Sequence, residues 1–334
     1  MKANPIIRIL LLLAATCSTG AVLAQDKQNL FNPVNTAATF MAIAPDARGG
    51  SMGDIGAATE ADVYSQYWNP AKYPFNVARA GVGVSYTPWL RKLVNDINLA
   101  NVSGFYRIGN YSAVHASLRY FSLGEVYLST MEDMTIKPYE MAFDAGYSRM
   151  LSENFSMAVN LRFILSDIKY DYQEESSAAK AFAADIALYR LGYFMVGNRE
   201  CSLGWGINIS NIGSKLSYGS DYAEFIPTNL RIGLNFTVPF NEYNKFSFGV
   251  DMNKLLVPTP PMQEEGELPE DFQARLQKDY YDQSPIGGIF KSFGDAPGGF
   301  KEEMQEIQWS FGAEYTYNDR FMLRRLPPRG REQG

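Results

Sequence analysis

Few residues in this chain have the type and spacing that chemistry needs. His115 and Ser117 stand at i and i+2, so they share one face of a strand, where an imidazole beside a hydroxyl is the minimal arrangement for activating a serine toward an acyl group. Val114, Ala116 and Leu118 take the other face. If that apolar face points outward, the pair points inward, and the plainer reading is an interior histidine hydrogen-bonded to its neighbours. His115 is the only histidine. Once a leader is removed, Cys201 is the only cysteine, which leaves no internal disulfide and no Cys-based metal centre.

The second stretch with chemical promise is "ARGGSMGDIGAATEADVYSQYWNPAKY" at 47–73. Gly49, Gly50, Gly53 and Gly56 lack the Lys-Ser/Thr pair of a phosphate loop, and no strand precedes Gly49 as a dinucleotide fingerprint requires. Packing is the better reading. The glycines permit close backbone approach, Ala57 and Ala58 are small, and Asn69-Pro70 turns the chain toward the first strand. The segment reads as a plug folded against the inside of a barrel.

The elements that would position these residues are strands. Lys2 and Arg8, the apolar run Ile9 to Ala15 and the small residue Ala24 mark residues 1–24 as a secretory signal. Residues 25–75 form an N-terminal extension and plug, and from 76 to 324 the apolar period is two. In "NFSMAVNLRF", Phe155, Met157, Val159, Leu161 and Phe163 oppose Ser156, Ala158, Asn160 and Arg162. Strands are expected at 77–87, 98–108, 111–122, 139–149, 154–167, 180–191, 201–211, 228–238, 244–253, 305–317 and from 320 onward. Most match the roughly 9–11 residues that a tilted strand needs to cross a bilayer. Tight turns such as "LSEN" and "NEYN" imply antiparallel neighbours.

With 21 Tyr, 21 Phe and 28 Gly and no long apolar run, the expected fold is all-β: a transmembrane antiparallel β-barrel in the outer membrane with a small plug. Tyr86, Tyr120, Tyr170, Tyr189 and Tyr315 would form interfacial girdles. Arg107, Arg119, Arg149 and Arg162 would meet Asp144, Asp167, Asp185, Asp251 and Glu314 in interior ion pairs. A net charge of −6 without a basic stripe argues against nucleic acid, and no cofactor motif is present.

One long connection, 254–304, opens on "VPTPP" and contains a helix candidate from Pro269 to about Tyr280. Long loops of such barrels face outside the cell, and the connections at 124–138 and 171–180 fall on the same side by strand parity. Tyr280, Tyr281, Ile286, Ile289 and Phe290 are candidate protein-contact residues on it. The stretch 325–334, with Pro327-Pro328, cannot be a lipid-facing strand and reads as an aberrant or truncated tail.

Met52-Gly53, Ala57, Asp62 and Tyr67-Trp68-Asn69-Pro70-Ala71, together with "NTAATFMAIAPDARGGSMGDIGAAT" at 35–59, resemble the PorV/PorQ family of type IX secretion system outer-membrane proteins. The "NPA" element is shared more widely with fatty-acid-transporter-type barrels. The resemblance runs from Asn35 to about Phe321 and is nearest to the PorV type. It implies a barrel of about fourteen strands and no catalytic centre. It also implies a role in binding the C-terminal signal domain of secreted cargo and carrying it from the large translocon barrel to the PorU-containing attachment complex, among the lipid and lipopolysaccharide of the outer membrane. Two alternatives stand beside it. The shared plug is compatible with an outer-membrane transporter of hydrophobic small molecules, and His115 with Ser117 with a lipid A O-deacylase.

Overall fold

The computed structural model describes residues 34–325, apart from 93, 129–133, 169–177, 220–221, 265, 297–298 and 319. The expected signal at 1–24, Tyr170, most of the connection at 171–180 and the tail from 326 lie outside the described residues.

Alternation builds one antiparallel sheet. Its strands are β1 (Ala80–Pro88), β2 (Ile97–Ile108), β3 (Ser112–Leu123), β6 (Tyr139–Ser152), β7 (Phe155–Asp167), β8 (Ala179–Val196), β9 (Arg199–Gly213), β10 (Asn229–Pro239), β11 (Asn244–Leu255), β12 (Gln308–Tyr317) and β13 (Phe321–Arg325). A separate two-stranded ribbon, β4 (Val126–Leu128) with β5 (Met134–Ile136), rises from the connection after β3. It has no counterpart in the sequence reading. Each strand of the main sheet pairs with its neighbour in sequence order, as in Ser103↔Ser117 and Asp144↔Arg162.

Among the described residues the sheet is not closed, and the expectation of a transmembrane β-barrel is corrected on this point. The order β1-β2-β3-β6-β7-β8-β9-β10-β11-β12-β13 has two ends, with no ladder between β1 and β13. In an up-and-down sheet, direction reverses at every strand. Eleven strands therefore leave β1 and β13 pointing the same way, so they cannot join by the antiparallel ladder that closes even-numbered barrels. β13 is also only five residues long, and all five pair with β12.

The two faces are inverted relative to an ordinary soluble sheet. Asn101, Ser117, Arg119, Asp144, Asn160, Arg162, Asp185 and Asn208 are buried, while Val82, Leu118, Phe143, Leu161, Phe182 and Leu234 are exposed. Tyr86, Tyr120 and Tyr315 lie on the exposed side, but Tyr189 shares the register of Asp185 and is buried among Ala71, Ala158 and Ala187. Arg149 is exposed, opposite in phase to Asp144. Of the expected interior pairs, Arg162 binds both Asp144 and Asp185.

Residues 34–75 lie against the inner face as short helical turns: a 3-10 turn Thr39–Ala42, α1 (Ala47–Ser51), α2 (Ser65–Trp68) and a second 3-10 turn Pro70–Phe75. Phe40 stacks on Phe121 of β3 at 6.1 Å, and Tyr73 stacks on Phe105 of β2 at 4.9 Å. Between β11 and β12, the long connection forms α3 (Pro269–Leu276), a π turn Gln277–Tyr281, α4 (Pro285–Lys291) and α5 (Phe300–Gln305).

Candidate functional site: the seated N-terminal segment and the helical loop

Trp68 organises the segment. Its indole N–H donates to Asp46 Oδ1 at 2.6 Å, while Asp46 Oδ2 accepts from the Gly49 N–H at 2.8 Å and so caps α1. Burial pushes the Asp46 carboxyl above its ordinary range against these two bonds. Gly49 and Gly56 lie against the ring: a Cβ on Gly49 would come 2.7 Å from Trp68 Cε2, and one on Gly56 2.6 Å from Cε3. The guanidinium of Arg231, from β10, sits 4.6 Å from the ring centre.

Not all the singled-out glycines act alike. Gly50 has open space where a side chain would go. Gly53 is half-buried with φ of 78°, so its contribution is the left-handed turn after α1. Asn69 accepts from the Ala71 N–H at 3.0 Å at the head of the 3-10 turn and donates to Ala57 O and Leu188 O, each at 2.9 Å. Pro70 is buried at the first position of that turn, and its carbonyl accepts from Ser148 of β6 at 2.7 Å.

The sheet supplies the seat, and sequence reasoning missed most of it. Asp251 of β11 accepts from the Gly56 and Ala57 N–H groups at 2.8 and 2.9 Å. Lys72 is fully buried and donates to Gly56 O at 2.7 Å and Thr59 Oγ1 at 3.2 Å; burial lowers its pKa to about 8. Arg48 pairs with Asp62 at 2.9 Å and reaches Glu314 of β12 at 3.4 Å.

Glycines on four adjacent strands leave room for residues 52–58. A Cβ on Gly204 would come 2.7 Å from Ala58 O, and on Gly206 2.8 Å from the Ala57 carbonyl carbon. The same test places Gly233 2.8 Å from Ala57 Cβ, and Gly249 and Gly312 2.5 and 2.8 Å from Ile55 Cδ1. Gly206↔Gly233 and Gly249↔Gly312 are paired across the ladders, while between β10 and β11 Gly233 faces Asp251 and Gly249 faces Asn235. The available signal was glycine recurring on the polar face of consecutive strands.

His115 and Ser117 do not form a pair. His115 Nδ1 meets Gln66 of α2 and its ring stacks on Tyr73 at 5.0 Å, whereas Ser117 donates to Asp144 at 2.7 Å. Both are buried, away from the apolar outer face. Among the described residues, no group of three or more His, Cys, Asp or Glu is placed to hold a metal ion.

The loop residues divide into a base and an exposed face. Tyr280 is buried with Phe225 and Val257, its hydroxyl donating to Asn35 O at 3.2 Å, and Tyr281 stacks on Tyr222 at 4.6 Å. Ser284 caps α4 by accepting from the Gly287 N–H at 3.1 Å. Ile289 is half-buried, whereas Ile286 and Phe290 are 63% and 75% exposed and align at i, i+4 with Phe293 at i+7. Lys254 Nζ, at the end of β11, fastens the far end of the loop through Glu303 at 2.9 Å and Glu306 at 2.6 Å.

A family model described as "PorV: Type IX secretion system protein PorV" matches residues 24–262. A comparison with curated proteins found no match.

Proposed function

Because the chain belongs to the PorV family of the type IX secretion system, whose members are non-catalytic outer-membrane transport proteins, we propose that it binds the C-terminal signal domain of secreted cargo and passes it from the translocon to the PorU-containing attachment complex. The observation that carries this reading is the apolar face of Ile286 and Phe290 on α4, continued by Phe293 just past its C-cap. These large apolar side chains stand in solvent on a helix that is capped by Ser284 and seated over buried Tyr280. A pre-ordered apolar helix face loses little conformational entropy on binding a folded partner. Tyr280 is buried at the base of the loop and Tyr281 is half-buried beside it.

The test replaces Ile286 and Phe290 by Asp in the chromosomal copy, with cargo on the cell surface and the protein's own level in the outer membrane as readouts. Cargo attachment falls while the protein level holds. Unchanged attachment at a normal level refutes the reading. The hydrophobic-transport alternative gains no support from an inner face lined by Asn, Ser, Asp and Arg and occupied by residues 34–75.

A further inference from the structure

A polar cavity of about 260 Å³ lies beside Tyr67, with Arg119, Arg162 and Arg231 in its wall. Arg162 is satisfied: it binds Asp144, Asp185 and Asn211. The other two have no hydrogen-bonded carboxylate among the described residues, although Asp144 and Asp185 lie within charge range of Arg119 and Asp251 within charge range of Arg231. Arg119 is 1% exposed; among the described residues its only hydrogen bond runs to Met41 O at 3.4 Å, and its Nε is buried without a partner. Arg231 donates Nε to Asn253 Oδ1 at 2.7 Å and, among the described residues, forms no ion pair. Both guanidinium groups lie over the same Tyr67 ring, at 4.6 and 5.1 Å from its centre.

A buried guanidinium with free donor positions is costly unless an acceptor reaches it. Arg119 comes from β3 and Arg231 from β10, strands with four others between them in the sheet, and the two converge on one space. Asp54 and Glu306 are the acidic residues of the wall, and Glu306 is engaged by Lys254 at 2.6 Å and Thr259 at 3.1 Å. We propose that this cavity binds a small monoanionic carboxylate between Arg119 and Arg231. A planar carboxylate matches the guanidinium fork of an arginine. Arg231 is half-buried, which gives the site its opening to water. The proposal is independent of the cargo reading.

The probe is sodium acetate, titrated into purified full-length protein in detergent at constant ionic strength with chloride as the balancing anion, and read by thermal melting. The wild type gains a saturable stabilisation. Arg231→Gln shifts the half-saturating acetate concentration upward by about tenfold or more, the loss expected for one charge-assisted hydrogen-bond pair. Arg119→Gln does the same; should it fail to fold, the wild-type titration and Arg231→Gln still decide. The exposed Arg149→Gln is the control and keeps the wild-type response. A response that does not saturate, is unchanged in Arg231→Gln, or is equalled by phosphate overturns the proposal.

Discussion

Trp68 and Asp46, far apart in sequence, meet through an indole N–H to carboxylate bond of 2.6 Å in a fully buried setting, and the same carboxylate caps the helix that places Gly49 against the indole ring. One contact thus couples a helix cap to a packed aromatic. Trp68→Phe keeps much of the volume but leaves Asp46 Oδ1 without its donor. It should lower stability by about 1–3 kcal/mol, and Trp68→Ala, which adds a cavity, by about 3–5 kcal/mol, in denaturant titrations of the detergent-solubilised protein.

The glycine stripe gives a sharper contrast. In Gly206→Ala the new methyl meets the Ala57 carbonyl, a backbone group that cannot swing aside, whereas at Gly192 the nearest atom, Leu203 O, is 3.9 Å away. Gly206→Ala should cost about 1–3 kcal/mol and expose residues 52–58 to protease. Gly192→Ala should melt within a degree or two of the wild type. Equal melting of the two variants would show that these glycines do not seat residues 52–58.

Lys72 predicts a pH dependence. Burial lowers its pKa from the ordinary 10.5 to about 8, so between those values the unfolded chain binds the proton that the fold has released. Stability from this group therefore rises as pH climbs from about 8 to 10.5 and is lost as pH falls through 8. Lys72→Met removes the titration. The difference in melting temperature between wild type and variant should change across that window and stay flat from pH 6 to 7.

Lys254 tests how the long connection is held. Lys254→Met leaves Glu303 and Glu306 without their cation at the sheet end. Breaking one side of a largely buried pair costs about 3–5 kcal/mol at most. The readout is cleavage within 256–307 by a protease, which should quicken several-fold while the β10–β11 ladder remains protected from hydrogen exchange.

The sequence by itself determined the eleven strands of the main sheet, their antiparallel order and most of their facing, because a period of two is a local property that any short window carries. The helix at Pro269 was legible for the same reason, through its proline start and acidic first turn. Parity was legible as well, since an odd count of antiparallel strands cannot close end to end, but the outward apolar face and the family resemblance pointed to a closed barrel. The phase of Tyr189 and Arg149 was recoverable from their neighbours, Asp185 and Asp144, yet aromatic and charged character pointed the other way. Only the tertiary structure decided which glycines pack on Trp68, that Tyr280 lies under the loop while Phe290 stands free, and that Asp144 and Asp185 hydrogen-bond Arg162 but not Arg119. Those outcomes rest on contacts between residues tens to hundreds apart, where the curvature of the sheet, and not the local pattern, sets who meets whom.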